Sequence, residues 1–254
     1  MKIAVIGNSH TLAIDSALKQ HPLKNSDGKH FDCYFMPGEW EIAPQTTSES
    51  NVCLLKNRKK ISEQDSGIDL AGYDYFIICS IGWWAARNIT IENDPPTHPL
   101  GYLACSDWGN SSEIFPTVKK FSDQVMKITL EQWIRNTPVM KLANYVSTRF
   151  NQHRVLVAPW PAPNRELKHD PKWFINKWYG EDGPRVWHEY FLIHHYVVQK
   201  LVNEIGDQVK LLEFPLPGPQ SDGFMANEWC EPDPFHANHL YGELILKQID
   251  IALS

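Results

Sequence analysis

The run KIAVIGNSH at residues 2–10 decides the fold class of this chain. Residues 3–6 form a short, continuous apolar segment, which is typical of a parallel strand covered on both faces. A polar turn at residues 7–9 ends that segment, and apolar residues at helical spacing follow over residues 11–20. A strand, a tight turn and a helix in this order predict the opening unit of an α/β protein.

The same alternation continues along the chain. Further strands are predicted at residues 31–36, 75–80, 155–159 and 209–214, and helices at residues 11–20, 117–135, 185–205 and 237–253. Strands alternating with helices predict a three-layer α/β/α fold with a mostly parallel five-stranded sheet. Residues 1–254 are interpreted as one domain with two insertions. The first, at about 44–67, is predicted to be a hairpin or excursion, and the second, at about 84–116, a long functional loop.

The composition narrows the class of function. Of the 254 residues, 43% are hydrophobic and 21% are charged, so the chain can bury a sizeable core. The net charge of -6 predicts no nucleic-acid or membrane partner, because both attract basic surfaces. No apolar run is long enough to cross a membrane, and the N-terminus lacks the pattern of a signal segment. Five cysteines without CxxC spacing favour reduced thiols, so we expect a cytoplasmic protein.

Ser9 is the first candidate catalytic residue. The turn places it at the carboxyl end of the first strand, the edge at which open α/β sheets bind ligands. At a helix N-terminus, the main-chain N–H of a Ser9 nucleophile could also stabilise an oxyanion. One alternative is that Asn8, Ser9 or Thr11 simply caps the helix. Another is a nucleotide-phosphate turn, although G-x-G-x-x-G is absent because Gly7 is the only glycine in the first 27 residues.

Asp233 and His236 are the second pair of candidates. They lie three residues apart in DPFH, just before the last predicted helix. A carboxylate at this spacing can hold one ring nitrogen of the histidine and leave the other to face a nucleophile. Alternatively, Asp233 caps the helix and His236 packs at its start, or the two residues bind a metal together with His239. The metal alternative lacks a clear further ligand, and no metal or other cofactor is predicted.

Taken in this order, the two segments resemble those of the SGNH hydrolase superfamily, the GDSL-type esterases and acyltransferases. Gly7-Asn8-Ser9 matches the family's Gly-Asp-Ser block after the first strand, and Asp233-Pro234-Phe235-His236 matches its D-x-x-H before the final helix. The resemblance implies a flavodoxin-like sheet and acyl transfer through a covalent ester. It implies that Ser9 is the nucleophile, His236 the general base and then acid, and Asp233 the residue that orients His236.

The resemblance also implies an oxyanion hole, and here the chain departs from the family. The main-chain N–H of Ser9 and the glycine after the second strand, matched by Gly38, supply two donors. The family's third donor is the Asn of G-x-N-D after the third strand, but Trp84 stands at that position in this chain. Asn88, four residues further on, is the first candidate to replace it, and Asn93-Asp94 is a weaker one. Without one, the activity would be weakened or altered, because loss of one such donor can cost about a hundredfold in rate.

Ten tryptophans suggest the substrate class. Trp83 and Trp84, together with His10, are predicted to contact substrate, and flat aromatic rings suit a sugar ring or an acyl chain. Alternatively, tryptophans fill the hydrophobic core or hold loops in place, and we expect this for at least half of the ten. We expect a small-molecule or carbohydrate ester, with an O-acetyl group the leading candidate. The alternatives are a weakened, binding-only SGNH-like protein and a sugar-nucleotide-binding α/β protein.

Overall fold

The computed structural model describes residues 1–20, 28–36, 40–44, 52–57, 67–79, 123–150, 154–171, 176, 180–215, 222–232 and 236–254. The strands are β1 (Lys2–Gly7), β2 (His30–Phe35), β3 (Trp40–Pro44), β4 (Val52–Asn57), β5 (Gly67–Asp69), β6 (Tyr75–Cys79), β7 (Arg154–Ala158) and β8 (Val209–Leu211). The helices are α1 (Ser9–Gln20), α2 (Asp123–Arg135), α3 (Pro138–Arg149), α4 (Gly183–Ile205) and α5 (His239–Leu253). Short 3-10 turns occupy Leu70–Gly72, Arg165–His169, Gly180–Asp182 and Asn227–Trp229.

The main sheet confirms the predicted fold class. Its five strands lie in the order β2-β1-β6-β7-β8, and each neighbouring pair is parallel. Counted within this sheet, the order is 2-1-3-4-5, which is the flavodoxin-like arrangement. All residues of β1, β6 and β7 after the first are buried. Because neighbouring residues of a strand point to opposite faces, both faces of these strands are covered.

The direction of the chain explains how the helices form two outer layers. From β1 the chain steps to β2, toward one edge of the sheet. From β6 it steps through β7 to β8, toward the other edge. Because parallel crossovers are right-handed, the helices of these two halves lie on opposite faces. The last helix, α5, returns to the layer of α1, where Gly242 lies against Ala13 and Ala17. The first and last helices of the chain are therefore direct neighbours.

A second, antiparallel sheet coincides with the first predicted insertion. β3 pairs with β4, and β4 pairs with β5, so this part of the chain forms a three-stranded meander. The expected hairpin at about 44–67 falls between Trp40 and Asp69, the outer limits of the meander. The second predicted insertion, at about 84–116, lies outside the described residues. The assignment of the whole chain to one domain stays a prediction.

Helix α3 was missing from the sequence-based prediction. Thr137 caps it by accepting a hydrogen bond from the N–H of Met140, and Pro138 occupies the first turn. Both are standard signals for a helix start, and apolar residues then recur at helical spacing to bury one face. The other differences concern element ends. β8 ends at Leu211 rather than residue 214, shortly before Pro215, and α5 begins at His239 rather than residue 237.

Candidate functional site

The carboxyl ends of β1 and β6 form the switch point of the main sheet. The connections that leave these adjacent strands run to opposite sides, which is where ligands bind in open α/β sheets. Because Gly7 has no side chain, the ends of the two strands can lie close together. A Cβ at Gly7 would come within 2.7 Å of the Cys79 Cβ and 2.8 Å of the Thr11 hydroxyl, and closer still to the Cys79 carbonyl oxygen. A larger residue would push the strand ends apart directly below the turn that carries Ser9.

Asn8, rather than Ser9, caps the first helix. The side-chain oxygen of Asn8 accepts a hydrogen bond of 3.2 Å from the N–H of His10, and its main-chain oxygen accepts one of 2.9 Å from Thr11. Ser9 is the first residue of α1 and is half-buried. Because Asn8 performs the capping, the Ser9 hydroxyl is not needed for it. The Ser9 N–H belongs to the first turn of the helix, where main-chain donors lack helical partners.

His236 lies at the end of a small closed loop. Its main-chain oxygen accepts a hydrogen bond of 2.8 Å from the N–H of Glu231, and Trp229 accepts one of the same length from Asn238. Between these two bonds, Cys230 and Ala237 form an antiparallel bridge. The two arms of the loop are thus joined immediately beside His236. This joint fixes the main chain from which the imidazole projects.

Asn238 holds this loop on the last helix, and sequence reasoning did not identify its role. Its side-chain oxygen caps α5 by accepting from Leu240 and Tyr241, at 2.9 and 3.4 Å. Asn238 thus occupies the capping position of this helix, while Asp233 lies outside the described residues. The side-chain nitrogen of Asn238 donates to the main-chain oxygens of Glu228 and Cys230, at 2.8 and 3.0 Å. An asparagine directly before a helical pattern is a known capping signal, but the contacts to the loop are not visible in sequence.

A pair of imidazole rings joins the Ser9 turn to the His236 loop. The ring centroids of His10 and His236 are 6.3 Å apart, and the rings are inclined by 45°. Both side chains are half-buried. In the described part of the chain this ring pair, and not a hydrogen bond from Ser9, links the two segments. Catalytic hydrogen bonds are often long before substrate binds, so the arrangement is compatible with a serine and histidine that act together.

Trp160 is a tryptophan that packs in the hydrophobic core. It follows β7 at the edge predicted to bind substrate, yet only 3% of its surface is exposed. Its ring packs against those of Trp187, Phe191 and His194, at centroid distances of 5.9, 5.2 and 4.9 Å. His194 is completely buried, and burial lowers its pKa to about 3, with His195 adding to the effect. Trp160 is thus part of the hydrophobic interior and not of a binding surface.

The cysteine thiols of β2 and β6 are poor candidates for a nucleophile. Cys33 and Cys79, whose side chains are described, are free thiols. Burial raises the pKa of Cys79 to about 12 and that of Cys33 to the same range. Since the thiolate is the reactive form, these two groups are held in the unreactive state at neutral pH.

Five predicted site residues lie outside the described part of the chain: Asp233, Gly38, Asn88, Trp83 and Trp84. The described residues contain no group of His, Cys, Asp and Glu side chains suited to holding a metal. Within the same ranges, no helix combines the length and apolarity needed to cross a membrane.

Comparisons with known proteins give matches among solved structures but none among family models or curated proteins. Among solved structures, the chain is similar to the lipase/acylhydrolase from Enterococcus faecalis, at 10% sequence identity and a TM-score of 0.42. The alignment covers 99% of this chain and 94% of that one.

Proposed function

We propose that this protein is a serine esterase or O-acyltransferase of the SGNH type. The observation that carries the proposal is the contact between His10 and His236, with ring centroids 6.3 Å apart. It brings the segment after the first strand and the segment before the last helix to one place. That place is the carboxyl edge of the sheet beside its switch point, where α/β proteins bind ligands.

In the proposed reaction, the Ser9 hydroxyl attacks the carbonyl carbon of an ester. His236 takes the hydroxyl proton and then gives it to the departing alkoxide, which leaves an acyl group on Ser9. Water, or the hydroxyl of an acceptor, attacks this ester in the same way and releases Ser9. Asp233 is proposed to orient the imidazole of His236 and to stabilise its positive charge.

The oxyanion formed in each step needs hydrogen-bond donors. The main-chain N–H of Ser9 lies in the first turn of α1, where the helix dipole also favours negative charge. Gly38 and Asn88 are proposed as the further donors. Because Trp84 stands at the family's asparagine position, the third donor has to come from another residue of this chain.

The proposed substrate is an O-acyl ester of a carbohydrate, with acetyl the first choice. Trp83 and Trp84 are proposed to stack on the sugar, and His10 to contact the ester from its position beside Ser9. A second candidate function is binding of the same ligand without catalysis. It is favoured by the replacement of the expected oxyanion asparagine by Trp84.

An active-site serine probe tests the proposal. We expect a fluorophosphonate to add one adduct at Ser9, located by peptide mass spectrometry, and p-nitrophenyl acetate to be hydrolysed. Ser9→Ala should abolish both, and His236→Gln should slow both by at least about a hundredfold. Ser16→Ala is the matched control, because Ser16 is a half-buried serine of the same helix. A folded wild-type protein that takes up no label would favour the binding-only function.

A further inference from the structure

The Asn238 side chain makes more hydrogen bonds to the main chain than capping a helix requires. Its side-chain oxygen accepts from two N–H groups at the start of α5, and its side-chain nitrogen donates to two carbonyl oxygens on the other arm of the His236 loop. A primary amide has two donor hydrogens and an acceptor oxygen with two lone pairs, so its full capacity is used. All four partners are main-chain atoms, which makes the attachment independent of neighbouring side chains.

These bonds act on the position of His236. The two carbonyl acceptors belong to Glu228 and Cys230, and Cys230 bridges Ala237, the residue after His236. The first turn of α5 supplies the fixed end, because α5 packs through Gly242 on the helix that begins with Ser9. The Asn238 amide thus connects the arm before His236 to the helix that is held against the Ser9 helix.

We propose that Asn238 is a positioning residue, which holds the imidazole of His236 in its working orientation toward Ser9. The catalytic consequence rests on the proposed function. The structural consequence, that loss of the two amide donors changes the orientation of His236, does not depend on the proposed function. A cap alone would need only the side-chain oxygen, so the two donors distinguish the roles.

Two substitutions separate these roles. Asn238→Asp keeps a good helix cap of the same shape, but it removes both donors and turns a carboxylate oxygen toward two carbonyl oxygens. Asn238→Ser keeps the cap and removes the contacts without adding charge, and it serves if the Asp variant does not fold. Thr137→Ala is the control, because it removes the cap of α3, an element outside the His236 loop.

The experiment compares kinetics with a direct view of the ring. We expect both Asn238 variants to lower kcat for p-nitrophenyl acetate, and the rate of Ser9 labelling, by about tenfold to a hundredfold with KM little changed. The NMR resonance of the His236 ring, assigned by its loss in His236→Gln, should shift in both variants. Thr137→Ala should lower the unfolding midpoint but leave kcat and this resonance unchanged.

The possible failures can be told apart. If folded wild-type protein is not labelled at Ser9, the proposed function is wrong, and the His236 resonance still decides the role of Asn238. If labelling occurs but both variants keep the wild-type kcat and resonance, Asn238 is only a cap and the inference is overturned. Equal effects of Thr137→Ala on kcat would also overturn it, because they would show a general response to lost stability.

Discussion

Gly242 of α5 lies directly on the main chain of Ala13 in α1. A Cβ at position 242 would collide with the Ala13 carbonyl and come within 3.0 Å of the Ala17 methyl group. Gly242 lies one helical turn after Asn238, and Ala13 lies one turn after Ser9. The close approach of these two helices therefore sets the distance between the Ser9 turn and the His236 loop.

The first prediction concerns that helix contact. Gly242→Ala should lower the free energy of unfolding by about 1–3 kcal/mol, because backbone has to move to admit the methyl group. It should also reduce Ser9 labelling, since the two helices carry the two halves of the site. Urea unfolding and labelling rates check both effects. Gly72→Ala is the control, because a Cβ there meets nothing within 4 Å. Equal stability of the two variants would contradict the close packing.

The second prediction concerns the turn before Ser9. Asn8→Ala should destabilise the protein by about 1 kcal/mol through loss of the helix cap. Asn8→Asp should retain most of that stability, because a carboxylate is also a good acceptor at a helix N-terminus. Thermal unfolding of the two variants measures the difference. If Ser9→Ala cost as much stability as Asn8→Ala, Ser9 would have a structural role that the hydrogen bonds do not indicate.

The third prediction is a loss of stability in acid caused by His194. Burial holds its folded-state pKa at about 3, below the ordinary value of 6.5, so the unfolded chain binds the proton more readily. Its contribution to stability is complete above about pH 6.5 and is lost as the pH falls from there toward 3, by up to about 1.4 kcal/mol per pH unit. His195, whose pKa burial also lowers, acts in the same direction.

Urea unfolding between pH 7 and pH 4 measures this slope. His194→Leu should flatten the pH dependence, even if the substitution changes stability at pH 7. His30→Gln controls for the loss of a histidine on the surface, because His30 is exposed. An unchanged slope in His194→Leu would show that other groups cause the acid sensitivity.

The fourth prediction separates the proposed serine mechanism from a thiol one. Cys79 should resist iodoacetamide at pH 8 in the folded protein and react once urea unfolds it, because burial removes both access and the thiolate. Esterase activity should survive the treatment. Peptide mass spectrometry follows the alkylation, and rapid modification of Cys79 in folded protein with loss of activity would point to a cysteine nucleophile.

Much of the fold was readable from local pattern. The apolar runs of β1, β6 and β7 are buried on both faces, so strand identity and burial follow from the same residues. Helix α3 is not among the predicted helices, although Thr137 and Pro138 are local signals for its start. The prediction also overextended β8, because apolar character continues past Leu211 while pairing as a strand ends there.

In the candidate site, too, some features follow from the sequence and others only from the structure. Ser9 and His236 could be selected because their residue types and their places at the first and last elements suggest acyl-transfer chemistry. Sequence alone left open whether each residue was only part of a helix cap. The hydrogen bonds show that Asn8 caps α1, which is one form of that alternative, and that Asn238 caps α5; the catalytic roles of Ser9 and His236 stay predictions.

By itself, the sequence determined the alternation of strands and helices, the residue types available for chemistry and the absence of a dinucleotide-type glycine turn. These properties depend on neighbouring residues in the chain. Only the tertiary structure decided that α5 lies on α1, that His10 and His236 meet, and that Asn238 ties the loop to the helix. These contacts join residues more than 200 positions apart or depend on the path of a loop. They arise from close packing and hydrogen-bond geometry, which local sequence pattern does not encode.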